Sequence, residues 1–210
     1  MYVPTAFAAE DLATLHALIE AHGFATLVSG GLDGLVATHL PILLDRSRGP
    51  KGTLVAHLAR ANPHARGLDG VEALTIFQGP HGYVSPSWYK THPSVPTWNY
   101  VAVHAYGRAR IVEDPAALRD MVGRLTAKYE GGRERPWTMD GLPEPFMHGM
   151  LKGIVGVEIE IARIEGKLKL SQNRGAPDRR AVIAALSASA DEDDRRLARF
   201  MERHAAPPPE

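Results

Sequence analysis

The sequence predicts a mainly β protein with peripheral helices, arranged as an antiparallel barrel. Strand-like runs follow one another closely, with few helical patterns between them. The 20 Gly and 16 Pro are spread along the chain, as many short strands and turns require. The longest strand-like run, Thr97 to Val112, has Gly107 inside it, where a long strand can bend at a barrel corner.

At 210 residues the chain is long enough for a domain with its own core. A first helix is expected where Glu10 and Asp11 put negative charge at its start and Leu12, Leu15, Leu18 and Ile19 share a face. His22-Gly23 ends it. Strands are expected at 24–29, 36–45, 53–59 and 71–77, with turns at Gly30-Gly31, at Asp33-Gly34 and over 46–52. Pro41 marks 36–45 as an edge or a bulge. Residues 78–96 read as a long irregular loop, and Tyr83, Trp88 and Tyr89 argue that it is ordered.

In 97–112, Val101, Val103, Ala105, Ala109 and Ile111 share one face. Asp114-Pro115 starts a second helix, striped by Leu118, Met121, Val122, Leu125 and Tyr129 and stopped by Gly131-Gly132. A short helix over 143–151 and strands over 155–161 and 167–172 follow. Two helices, 177–186 and 191–204, precede a frayed tail, 205–210. The expected total is six or seven strands.

Lys+Arg and Asp+Glu both number 24, so the formal net charge is zero. That argues against a DNA-coating or membrane-surface protein, while leaving a local basic patch open. The absence of cysteine excludes disulfides, thiolate metal sites and Cys nucleophiles. No targeting segment or long apolar run is recognisable, so a cytoplasmic protein without a membrane partner is expected.

GxGxxG, GxxxxGK[ST] and GxSxG are all absent. Ten His are present without HExxH or HxH, and surface imidazoles outweigh a metal site. The stretch His57 to His64 (HLARANPH) joins a strand end to a turn, where Arg60, Asn62 and turn N–H groups could hold a phosphate. On chemistry alone an ordinary polar turn stands ahead. Trp88 and Tyr89, with Trp98 and Tyr100, could wall a planar ligand, fill a loop core or form a dimer contact; spacing does not decide.

Taken in order, MYVPTAF, ATHLPILLD, GTLVAHLARANPH, SPSWY, VPTWNYVAVHAYG and KLSQNR closely resemble the PaiB family, described as FMN-binding negative transcriptional regulators. The resemblance spans residues 1–204. It implies a six-stranded antiparallel split β-barrel, similar to pyridoxamine-phosphate oxidase-like proteins, over 1–174. A C-terminal helical extension of the same domain follows over 175–204, with a disordered tail at 205–210.

It further implies a homodimer with FMN at the subunit interface. Thr38, His39, Leu40 and Pro41 would run along the isoalloxazine edge, and His57, Arg60 and Asn62 would hold the phosphate. Trp88, Tyr89, Thr97, Trp98 and Asn99 would close the site, with Gln172 and Arg174 at the polar end of the last strand. No catalytic residue is assigned. A regulatory protein is the leading reading. An FMN-dependent oxidoreductase is the alternative, and a haem-binding split barrel a minor one. DNA contact through Arg179-Arg180 and Arg195-Arg196 is a weak further reading against the acidic run Asp191 to Asp194.

Overall fold

The computed structural model describes residues 1–31 and 34–204. Nine strands, β1 (Ala8–Ala9), β2 (Phe24–Gly31), β3 (Gly34–Pro41), β4 (Leu43–Asp45), β5 (Thr53–Ala59), β6 (Glu72–Val84), β7 (Thr97–Val112), β8 (Ile154–Glu160) and β9 (Arg163–Lys169), form one sheet. The helices are α1 (Leu12–Ala21), α2 (Pro63–Arg66), α3 (Pro115–Glu130), α4 (Glu144–Lys152), α5 (Ala176–Ser187) and α6 (Glu192–Arg203). The strand order is β3-β2-β6-β7-β8-β5-β4, with β9 bonded to β1 and β7. Among the described residues the path ends at β3 and β4 without closing, so the sheet is split.

The chain divides into two compact units. Among the described residues, a central unit holds those of His16–Phe77 and His104–Ile164; a terminal unit holds those of Met1–Leu15, Gln78–Val103 and Glu165 onward. β6 and β7 each contribute to both.

In the central unit, β2 pairs antiparallel with β3 from Phe24↔Pro41 to Gly31↔Gly34, and β5 pairs with β8 from Thr53↔Glu160 to Ala59↔Ile154. Strand alternation sends Leu27, Leu54 and Ile159 fully into the core. Each contributes about 1.5–3 kcal/mol by leaving water. On α3, Met121 packs with Leu43 and Val55, and Leu118 with Met147 and Leu151 of α4. Asp114 caps α3 by accepting from Ala117 N at 2.8 Å, ahead of Pro115.

In the terminal unit, α5 buries Val182 and Leu186, and α6 buries Leu197, Ala198, Phe200 and Met201. Asp191 caps α6 through Asp193 N at 2.9 Å.

Four expectations are corrected. The strand expected over 36–45 is two strands. Pro41 has no N–H, and Ile42 N donates to Gly23 O at 2.7 Å, so the chain leaves β2 there and joins β5. Residues 78–84 continue β6 instead of opening a loop. Buried positions shift from Phe77 and Gly79 to Gly82 and Val84, which breaks the alternation a strand reading relies on. Gly82 is required by α6, since a Cβ there would meet Asp194 Oδ1 at 2.7 Å.

The strand expected over 167–172 is β9, shifted to 163–169. It ends where Ser171 takes a φ of 63° and the Gln172 side chain folds back to accept from Leu170 N at 2.7 Å. Gly166 interrupts the sequence pattern of its early half; a Cβ there would run into Leu15 Cδ2. Among the described residues the count is nine strands, because β1 and β4, two and three residues long, add to the seven expected. The turn expected at Asp33 and the tail 205–210 lie outside the described residues.

Candidate functional site

The predicted site residues fall into two groups, seven in each unit. In the central unit a buried polar network ties together β2, β3 and α2. Thr38 Oγ1 lies 2.8 Å from His64 Nδ1 and accepts from Asn62 Nδ2 at 3.3 Å. The other ring nitrogen, His64 Nε2, lies 2.8 Å from Ser29 Oγ. Asn62 Oδ1 accepts from His64 N at 3.0 Å and caps α2. Burial pushes the His64 pKa below its ordinary 6.5, because the charged ring is the form that burial penalises. Ser29 and His64 were not among the predicted residues. The polar turn ANPH signals His64, whereas Ser29 reads only as strand.

Alternation divides the predicted β3 set. Thr38 points toward His64 and Leu40 is buried; His39 and Pro41 point the other way. On that second face the Phe24 and His39 rings stack 6.4 Å apart and Thr26 Oγ1 bonds His39 Nδ1 at 3.0 Å. Phe24 is 69% exposed and Leu35 is 85% exposed there. The two faces of one strand therefore serve two different surfaces.

His57, on β5, is half-buried, and burial lowers its pKa. Its Nδ1 is buried without a partner among the described residues. Arg60, just past β5, acts as a strut. Its Nε donates to Lys152 O at 3.0 Å, Nη2 to Ile154 O at 3.1 Å, and Nη1 to Glu113. The Arg60 and Asn62 side chains thus diverge. Arg60 also lines a cleft of about 480 Å³ with Arg66, Asp69, Ile111, Glu113 and Val155. Among the described residues Arg66 pairs with no carboxylate.

In the terminal unit, Tyr89 is buried and the Arg174 guanidinium stands 4.3 Å from its ring centre. Arg174 Nη1 donates to Ser94 Oγ at 3.4 Å. Trp88 is half-buried in a 3-10 turn, Pro86–Trp88, capped by Ser85. The loop is held by Asp178, which accepts from Lys90 N at 2.7 Å and Thr91 N at 3.1 Å. No sequence signal linked Asp178 to that loop.

Trp98 is 53% exposed and meets Tyr83 edge-on at 6.0 Å. Asn99 is fully buried, donates to Ser171 Oγ at 2.9 Å and leaves its Oδ1 unpartnered. Thr97 accepts from Lys169. Gln172 uses both ends of its amide on the Leu170 N–H and the Leu168 carbonyl. On α6, Arg195 and Arg199 pair with Glu192, and Arg196 pairs with Glu192 and Asp193.

The open sheet with peripheral helices is the split-barrel fold of flavin-binding proteins. A flavocytochrome from Azotobacter vinelandii (Anf3) superposes with a TM-score of 0.58 at 17% identity, covering 90% of this chain and 74% of that one. A FAD and heme binding protein from Mycobacterium smegmatis gives 0.58 at 18% identity, covering 83% and 78%. Residues 1–163 match the family described as "Putative FMN-binding domain". Protease synthase and sporulation protein PAI 2 of Bacillus subtilis is 35% identical over 203 residues, 96% of this chain and 97% of that protein. The chain belongs to this FMN-binding domain family, the PaiB family. No helix among the described residues is long and apolar enough to cross a membrane.

The family's cofactor, FMN, brings a dianionic phosphate and a flat ring with a polar edge. The central unit has donors that fit. His57 Nδ1 is orphaned in a buried position, and Arg60 uses three of its five N–H groups in its strut contacts.

Proposed function

We propose that this chain is an FMN-binding, redox-linked regulatory protein that works as a homodimer. The unpartnered His57 Nδ1 carries the reading at the level of residues: a buried ring nitrogen without a partner is costly unless a ligand meets it. Arg66, which pairs with no carboxylate among the described residues, supplies positive charge for the phosphate, Arg60 offers its remaining N–H groups, and Thr38, held by His64 and Asn62, keeps its strand fixed. FMN supplies electron transfer when bound. The protein's part is to bind, orient and shield it.

Dimerisation is supported by the exposed face of β2 and β3, where Phe24, Leu35 and Ala37 leave apolar surface beside an edge strand. The transcription-linked role follows from the family resemblance. Direct DNA contact through Arg195 and Arg196 is disfavoured, because these two arginines, like Arg199, are already matched by Glu192 and Asp193.

The test is the visible spectrum of the purified chain before and after FMN addition and desalting, combined with light scattering. Retained flavin bands on a dimer, weakened by Arg66→Ala, are expected. No uptake at tens of micromolar FMN would overturn cofactor binding. A monomer at that concentration would overturn the dimer.

A further inference from the structure

In the terminal unit, β9 presents Lys167 and Lys169 two residues apart, on one face. Lys167 is only 7% exposed and Lys169 is half-buried. Buried ammonium groups are normally paired with an acid, because taking a charge out of water is expensive. Here the ion pairs among the described residues include neither lysine. Glu165, the same-face acid before them, accepts from the Met1 ammonium.

The lysines' partners are neutral. Lys167 Nζ donates to Tyr2 O at 3.0 Å and lies 5.5 Å from the Tyr2 ring and 5.2 Å from the Tyr100 ring. Lys169 donates to Thr97 Oγ1. Each ammonium carries three N–H groups, so most of this donor capacity is unspent. Burial, helped by the neighbouring Lys167 charge and opposed by Tyr100, lowers the Lys169 pKa. Two cations repelling each other in a half-buried place form an arrangement that an anion would relieve. Trp98, two residues before Tyr100 on the same face of β7, adds an exposed ring that meets Tyr83.

We propose that Lys167 and Lys169, with Thr97 and Tyr100, form a recognition site for a small molecule bearing a carboxylate or phosphate, separate from the cofactor's own phosphate. An aromatic acid suits it, because the charge meets two ammonium groups while Trp98 offers a flat surface. The inference rests on the FMN reading only in expecting a second molecule besides the flavin.

The test uses the full chain loaded with FMN. Inorganic phosphate and benzoate are titrated at constant ionic strength, with chloride as control, following the melting temperature and heat of binding. The wild type is expected to bind at least one of them at millimolar concentration. Lys169→Met is expected to weaken that binding about tenfold, the loss of one charge-assisted contact. The same variant is expected to melt at or above the wild-type temperature without added anion, since it removes an unpaired half-buried charge, and to retain FMN.

A wild type that responds to neither anion beyond chloride overturns the proposal. So does a variant that responds equally. Weakened FMN binding with unchanged riboflavin binding would assign the lysines to the flavin phosphate, and also overturns it. Failure of FMN binding in the wild type refutes the cofactor reading instead.

Discussion

Replacing His64 with alanine tests the network that steadies β3. The ring is 4% exposed and both nitrogens are engaged at 2.8 Å, with Ser29 and Thr38. Without it, the Ser29 hydroxyl, itself 4% exposed, loses its partner. Thr38 keeps its contact with Asn62. One unsatisfied buried hydroxyl costs about 1–3 kcal/mol. The void left by the ring adds roughly 1–2 kcal/mol. A loss of about 3 kcal/mol is expected, or roughly 6–12 °C in melting temperature for a chain of this size.

The pH dependence gives a second readout. Burial depresses the folded pKa of His64, so the unfolded chain takes up a proton first as pH falls. Stability is therefore full above the unfolded value, about 6.5, and is lost from there down to the depressed folded value. His57 and His22 shift in the same direction, also through burial. Wild-type stability should decline below neutrality, and His64→Ala should decline less steeply. Urea unfolding at pH 7.5 and 5.5 measures both. A loss below about 0.5 kcal/mol at pH 7.5, or an unchanged slope with pH, would refute the reasoning.

Three other perturbations have defined outcomes. Gly107→Ala puts a Cβ 2.1 Å from Glu160 O and 2.8 Å from Ile159 Cγ2, so thermal unfolding should show a loss of about 3 kcal/mol or more; an unchanged melting temperature contradicts the close approach. Glu158 accepts both Arg48 Nη groups, at 2.8 and 2.6 Å, and also Arg110, and the Arg48 hydrogen bonds chiefly lower its pKa. That contribution holds above the ordinary 4.5 and fades as pH falls through the lowered folded value, so Glu158→Gln should cost about 1–2 kcal/mol at pH 7 and flatten the acid limb of a stability–pH curve. Arg60→Ala removes the donors to Lys152 O and Ile154 O and should cost about 1–2 kcal/mol in urea unfolding; a fully stable variant would mean the strut is idle.

Much of the fold is legible along the chain because local chemistry marks it. Asp114-Pro115 announces α3, a short apolar run marks β5 and alternation marks β7, and the observed bounds of both strands are those expected. Two of the failures, at β6 and β9, share a cause. At Gly82 and Gly166 the backbone stays in a strand, while a neighbouring side chain occupies the space a Cβ would need. Sequence reading takes such glycines for breaks, because the neighbour is distant along the chain.

The candidate site divides along the same line. Sequence by itself determined the residue types: an Arg and an Asn after β5, the aromatics around Trp88 and Trp98, and the ordered motifs that mark the family. Only the tertiary structure decided what those side chains touch. It turned Asn62 to Thr38 and Arg60 to the carbonyls at the start of β8, closed Gln172 on its own backbone, and left Lys167 and Lys169 without an acid among the described residues. The physical reason is that hydrogen bonds and charge pairing depend on distances of a few ångströms. Here those distances are set by strand pairing between segments far apart in the chain.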